Sequence, residues 1–462
     1  MDNRSAARKI VKVLRSAGHE AYLVGGCVRD MLLGKKEIKD HDVATSARPD
    51  EICALFRRAR LVGVQFGVVL VGMPRQWIEV ASFRTDESYT DGRHPDGIRF
   101  ATLEEDAQRR DFTVNGLYYD PVNGQIIDLV DGKNDLAARQ IRAIGEPGRR
   151  FLEDYLRMLR AVRFVAQLEF TIEAETARAI ARHAEHITEI SPERILEELR
   201  KLLVHPGRAV GLRTADELNL LGHILPEVSG LHGREGISFA ADFAIKDKGD
   251  AFEQTLAVLE RLDSPSRFEP AMSALLHLSG RVRETMIASC SPVRPRAKLN
   301  QVNASAQIAD AICRRLTCSN RERHKIVWLA EFLPLFGKGA GLSLAELKRI
   351  MMYGHYDDLC RLYRARVESG LEPRANLAAI ERQVETINQS GGFAVEPLIS
   401  GDDLSDQLEL VPGPGYQDIL DAVFDAQLNG GIGSREDAMT LARRLADCYR
   451  KERRGTQKRN TS

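Results

Sequence analysis

The chain has 462 residues, 43% hydrophobic and 29% charged, with 66 basic side chains balanced by 66 acidic ones. That is an ordinary globular composition with room for about three or four domains. It excludes a protein marked as a nucleic-acid binder by its overall charge, and leaves local basic patches at Arg109-Arg110, Arg149-Arg150 and Arg450 to Arg459. The seven cysteines are odd in number and scattered without a Cys-x-x-Cys pair, so reduced thiols, a cytoplasmic setting and no zinc site are expected. No apolar run approaches membrane-spanning length, and the N-terminal stretch reads as an amphipathic helix rather than a signal peptide.

Residues 3–17 place Ile10, Val11, Val13 and Leu14 at helical spacing and stop at Gly18. Ala21 to Val24 reads as a strand, followed at once by Gly25 and Gly26 and then by Arg29 and Asp30 at the start of a helical turn. Paired glycines let backbone N–H groups approach a phosphate at a helix N-terminus. Arg29 adds a planar donor fork for phosphate oxygens. About ten residues on come Asp40, His41 and Asp42, then Val43-Ala44-Thr45. In extended backbone, side chains alternate faces, so Asp40 and Asp42 share one face and His41 turns away. Two carboxylates so close repel unless a cation lies between them, and hard oxygen donors suit Mg²⁺ with substrate phosphates filling its remaining positions. Alone, each piece is a common turn or a solvated loop; the order and spacing are what is specific.

A helix is expected to start within Ser46 to Glu51 and run to about Arg58, with two strands around a turn over 60–71, and a strand from Trp77 to Phe83 with Glu79 and Ala81 on one face. Residues 85–97 are polar, contain Gly and Pro and lack periodicity, which predicts a mobile loop. Acidic residues open a helix at Leu103, and the segment runs on through Arg109, Arg110, Asp111, Phe112, Thr113 and Asn115. From Glu146 the pattern is almost wholly helical. Within 151–164, Asp154, Arg157, Arg160 and Arg163 recur every three residues on one predicted helix, with apolar residues around them. An Asp beside an Arg in a partly covered pocket offers acceptor and donor edges to a nucleobase. Ser191 at N-cap and Pro192 at N1 mark another helix start.

The pattern GG-x-x-R-D…D-x-D-x-A-T resembles the head of the DNA polymerase beta-like nucleotidyltransferase superfamily. More narrowly, it is similar to the class II bacterial family of tRNA nucleotidyltransferases (CCA-adding enzymes) and poly(A) polymerases. The resemblance implies Asp40 and Asp42 as ligands of two Mg²⁺ ions, with Glu79 as a third acidic group beside them. It implies that Gly25, Gly26, Arg29 and Arg110 hold the triphosphate, and that Asp111, within the Arg-Arg-Asp-Phe-Thr-x-Asn motif closed by Asn115, meets the ribose. Gly116 stands where the family usually has Ala. Asp154 and Arg157 match the Glu-Asp-x-x-Arg motif that selects the base, extended here to Arg160 and Arg163.

The implied fold class is α+β: a small α/β head with a mixed sheet over residues 1–142, then a helical neck (143–205), body (206–320) and tail (321–462). The implied reaction is template-independent addition of CCA, or its terminal A, to the 3′ end of tRNA from CTP and ATP, with release of pyrophosphate. No membrane and no protein partner are expected, and the location is cytoplasmic. Poly(A) synthesis is the alternative, but the basic segment that poly(A) polymerases tend to carry after the first motif is absent from Leu61 to Val69, while 397–443 resembles the tail of tRNA nucleotidyltransferases. A head retained only as an inactive RNA-binding module would have lost a metal carboxylate; both are present.

Overall fold

The structure is a computed structural model and describes residues 3–38, 40–62, 67–74, 76–86, 98–233, 250–280, 304–389, 392–393, 395–408, 410 and 414–459. The chain divides into two compact units, one of residues 1–232, 264–268 and 311–319 and the other of residues 233–263, 269–310 and 320–462.

The first unit opens with α1 (Asn3–Ser16), which buries Ala6, Ala7, Ile10, Val11 and Leu14 along one side. That stripe lies against the central strands of a sheet. In chain order the strands of this unit are β1 (Ala21–Val24), β2 (Asp42–Thr45), β3 (Ala59–Leu61), β4 (Val68–Met73), β5 (Gln76–Ser82), β6 (Arg84–Asp86), β7 (Ile98–Phe100), β8 (Leu117–Asp120), β9 (Gln125–Asp128), β10 (Gln140–Ile141) and β11 (Thr171–Ile172). Seven of them form one sheet in the order β3-β4-β5-β2-β1-β8-β9. The β2–β5 pair is parallel and the other pairs are antiparallel, so the sheet is mixed as expected. A parallel pair needs a crossover connection; the helix Pro49–Leu55 and the β3–β4 hairpin supply it. On the face away from α1, Val24, Ala44, Phe83, Leu103, Ala107 and Tyr118 form a small core. Strands β6 and β7 pair as a separate arm, Asp86 opposite Ile98, at the two ends of the expected loop. From residue 87 to 97 that loop lies outside the described residues.

Strand β10 pairs forward with β11, so a short parallel ladder joins the end of the head to the helices that follow. Those helices are α2 (Pro147–Glu153), α3 (Leu156–Leu168), α4 (Ala174–His183), α5 (Pro192–Leu203) and α6 (Arg208–Glu217). All thirteen residues of α3 except Arg160 and Gln167 are buried, because α5 and α6 pack on it. A helix covered on every side must find partners for any charge it carries. The expected single helix over 151–164 is corrected here: it is two helices, α2 and α3, with Asp154 extended between them at φ −159°, ψ 103°. The Asp154 carboxylate instead accepts the Leu156 N–H at 3.1 Å, the local bond for which a short acidic side chain leaves a helix. Ser191 does stand at the N-cap of α5 with Pro192 at N1, but its hydroxyl makes no capping bond.

The second unit is built of helices, among them Asn320–Phe336, Tyr356–Glu368, Pro414–Leu428 and Arg435–Arg459. Its C-terminal part packs Leu404, Leu408, Ile419, Val423, Ala438 and Ala442 into one core. Buried charges there are paired, Lys325 with Asp358 and Arg366 with Glu372, each at 2.6 Å. Among the described residues, no helix is long and apolar enough to cross a membrane.

Candidate active site

The acidic centre is built by strand register. Val43 of β2 pairs with Val80 of β5 in parallel, so Asp42 and Glu79, one residue earlier in each strand, come side by side. Val24 of β1 lies opposite Asp42 on the other side. Alternation holds through the preceding segment: His41 is buried and Asp40 is exposed. Burial, then the negative charges of Glu79 and Asp40, push the Asp42 carboxyl up to about 6, with Arg110 pulling the other way. Asp42 thus stands within reach of the negative charge of two other acids, though among the described residues no three His, Cys, Asp or Glu side chains are gathered closely enough to hold a metal ion as they stand. Cys27, beside it, is no nucleophile: burial, reinforced by Asp42, pushes its thiol up to about 12.

Gly25 follows β1 at φ 77°, ψ −136°, a conformation open to glycine. It leads into a short helical turn, Gly26–Leu32. Arg110 reaches this turn from across the site, its Nη1 3.8 Å from where a Cβ on Gly25 would stand. The rest of its guanidinium is fixed: Nη2 donates to Asp106 at 2.9 Å and Nε to the Tyr118 hydroxyl at 3.0 Å.

A buried polar chain runs from the glycine turn into the helices. Arg29 is held by Asp30 at 2.8 Å and donates from Nη1 to Asn115 at 2.6 Å. Asn115 donates to Asp111 at 3.2 Å, and Asp111 also accepts the Phe112 N–H and a two-nitrogen fork from Arg160 at 3.0 and 2.6 Å. Arg163 is buried and bonds to Glu198 of α5 and to Gln167. Arg29, Arg160 and Arg163 all surround the ring of Phe164. Burial alone would raise Asp111, but Arg160 and the donated hydrogen bonds outweigh it and hold the carboxyl at about 2. The structure therefore brings Arg29, Asn115, Asp111 and Arg160 together, with Arg163 joined through Glu198.

Asp154 and Arg157 do not pair with each other. Asp154 is bridged to Arg194 of α5 at 2.7 Å. Arg157 donates to Glu153 at 2.6 Å and to the carbonyl of Arg150 at 2.8 Å.

Residues 21–142 match the poly(A) polymerase head domain, and residues 169–231 match a domain described as the probable RNA and SrmB-binding site of polymerase A. A CCA-adding enzyme of Levilactobacillus brevis is 49% identical over 207 residues, which is 45% of this chain and 52% of that one. One of Lactobacillus johnsonii is 44% identical over 232 residues, 50% of this chain and 57% of its own length. The matched region thus spans about half the length of these curated relatives. Among solved structures, the Bacillus stearothermophilus CCA-adding enzyme in complex with CTP aligns over 100% of both chains, with a TM-score of 0.69 and 27% identity. The chain is thus similar to CCA-adding enzymes, and its residues 21–142 to the poly(A) polymerase head domain. The Thermotoga maritima CCA-adding enzyme complexed with tRNA shares the fold at a TM-score of 0.57 and 16% identity, over 97% of this chain and 96% of that one.

Sequence reasoning missed several residues that hold the candidate site together. Asp106 stands three and four residues before Arg109 and Arg110, and binds both, at 2.7 and 2.9 Å. That helical spacing was a usable signal, hidden because an acid at a helix start reads as a charge on the first turn. Glu198 had no local signal, since it lies 35 residues from Arg163. A cleft of about 350 Å³ bordered by Thr85, Arg109, Arg150 and Glu153 contains none of Asp40, Asp42 and Glu79.

Proposed function

We propose that this protein adds CCA, or its terminal A, to the 3′ end of tRNA from CTP and ATP without a nucleic-acid template. What supports the reading is the strand register that sets Asp42 beside Glu79, with Arg110 Nη1 directed at the Gly25 turn: acid for a metal near cation and bare backbone for a triphosphate. The RNA 3′-hydroxyl attacks the α-phosphorus, a new P–O ester forms, and the bond to the β-phosphate oxygen breaks as pyrophosphate leaves. Asp40 and Asp42 would hold divalent metal, two Mg²⁺ ions on this reading, with Glu79 adding negative charge. When bound, the metal lowers the cost of ionising the 3′-hydroxyl and neutralises the leaving pyrophosphate.

The chain's own residues bind and orient. Gly25 and Gly26 admit the triphosphate to the backbone, and Arg110 directs its Nη1 toward that place. Arg29, engaged with Asp30 and Asn115, contributes positive charge from behind the glycine turn. Asp111 and Asn115 face the ribose. Asp154 and Arg157 exchange their present partners for the edge of the base, within a neck that Arg160 holds to the head through Asp111 and that Arg163 braces internally through Glu198. The relatives named CCA-adding enzymes and the missing basic segment at Leu61 to Val69 favour tRNA over general poly(A) synthesis. Action on tRNA in turn supports a cytoplasmic location.

The test is incorporation of labelled CMP and AMP into tRNA by wild type and Asp42→Asn, with Mg²⁺ removed by EDTA and then restored. Loss on chelation, recovery on restoration and a variant inactive throughout are expected. Metal-independent transfer, or a variant as active as wild type, would remove the basis of the reading.

A further inference from the structure

The Arg110 guanidinium that reaches the glycine turn is bonded to two buried groups. The Asp106 carboxylate is 1% exposed and accepts from Arg109 at 2.7 Å, from Arg110 at 2.9 Å and from the Tyr118 hydroxyl at 2.6 Å. Tyr118 is fully buried in the small core beneath β1, and its hydroxyl in turn accepts from Arg110 Nε at 3.0 Å. These bonds take Nε and Nη2, which leaves Nη1 facing Gly25. A long side chain with four torsions otherwise loses rotamer entropy when it meets a ligand; fixing it beforehand removes that cost at binding.

We infer that Asp106 and Tyr118 are positioning residues for the nucleotide: they lock Arg110 so that one guanidinium nitrogen is presented to the triphosphate before it arrives. The inference rests on the reading of Arg110 as a triphosphate ligand. It separates the two arginines of the Arg-Arg-Asp motif. Arg109 takes a two-nitrogen fork on Asp106, Nε at 2.9 Å and Nη2 at 2.7 Å, and completes the clamp. Arg110 carries the function. A sheet residue, Tyr118 of β8, thereby acts on the triphosphate without touching it.

Tyr118→Phe keeps the ring and removes only the hydroxyl, and Asp106→Asn keeps the shape and removes the charge. The experiment measures KM for CTP, kcat, and inhibition by inorganic tripolyphosphate on a tRNA acceptor, in the full chain, with thermal melting recorded for each variant. Tyr118→Phe is expected to raise the CTP KM and the tripolyphosphate inhibition constant together by about 3- to 10-fold, and Asp106→Asn by about 10- to 100-fold. The KM for tRNA should stay unchanged. In an Arg110→Ala background neither substitution should weaken CTP further, since there is no guanidinium left to aim. Should Asp106→Asn fail to fold, Tyr118→Phe decides alone. If Arg110→Ala leaves tripolyphosphate inhibition at the wild-type value, the reading of Arg110 fails and the inference with it. If Arg110→Ala weakens inhibition but Tyr118→Phe does not, or if the losses simply add in the double variants, the positioning role is overturned and the reading of Arg110 stands.

Discussion

Asp111→Asn tests the buried chain between head and neck. The substitution keeps the shape of the side chain and removes the charge that faces Arg160. With an ordinary value of 3.8 and a folded value of about 2, the native carboxylate is stabilised by about 2 kcal/mol relative to the unfolded chain. Breaking a fully buried ion pair costs about 3–5 kcal/mol, but the Arg160 side chain is 33% exposed, so water takes up part of that charge and the lower figure is expected. The sign follows from the depressed pKa. The contribution is fully present above about pH 4 and disappears as pH falls through about 2, where the wild-type carboxyl also becomes neutral. The gap between wild type and variant should therefore be about 2 kcal/mol from pH 5 to 7 and close toward pH 2. The chain has two tryptophans, Trp77 on β5 and Trp328 in the second unit, so urea unfolding read by fluorescence in a Trp328→Phe background reports the first unit. A gap below about 0.5 kcal/mol at pH 7, or one that does not change with pH, would refute the argument.

Other substitutions probe the remaining parts. Asp40→Ala and Asp42→Ala should each lower nucleotide transfer by orders of magnitude, about 10³-fold or more, while tRNA affinity stays within about twofold of wild type; retention of a tenth of the activity would move the metal site elsewhere. Asp154→Ala and Arg157→Ala should change the preference among CTP, ATP, UTP and GTP more than the rate on the preferred nucleotide; competition among the four is the assay, and unchanged selectivity at lower turnover would remove base choice from this pair. Gly116→Ala, which would restore the residue usual in the family, places a Cβ 2.6 Å from Val130 and 3.2 Å from Ile144. It should destabilise the first unit by about 1–3 kcal/mol. Val130→Ala in the same chain should recover most of that loss, and an equally stable single variant would count against the packing seen here.

Much of the head was legible because its signals are local. A strand, two glycines and an Arg-Asp turn, an Asp-x-Asp extension, and a strand with Glu79 on its open face each obey a period of two or a turn rule within a few residues. The sheet order was not legible, since the neighbouring of β2 and β5 across an intervening hairpin depends on pairing between segments far apart in sequence. The break at Asp154 was also hidden. Both flanks have helical patterning, and only the capping bond to Leu156 and the bridge to Arg194 favour an extended residue there. The arginines of α3 show the same limit. Their apolar surroundings pointed to a mostly covered helix, but nothing local named the partners: Glu198 and Asp111, brought in from other elements, take up Arg163 and Arg160.

The most direct test of the proposed activity gives the protein four RNAs with CTP and ATP together: tRNA transcripts lacking the last one, two or three nucleotides of the CCA end, and an unrelated RNA of similar length. The products are then sequenced. CCA addition predicts that all three tRNAs are completed to the same CCA end with no longer tail and that the unrelated RNA is left unextended; an A-only enzyme predicts completion of the first tRNA alone. Runs of A on every RNA, or no extension of any tRNA, would contradict the account.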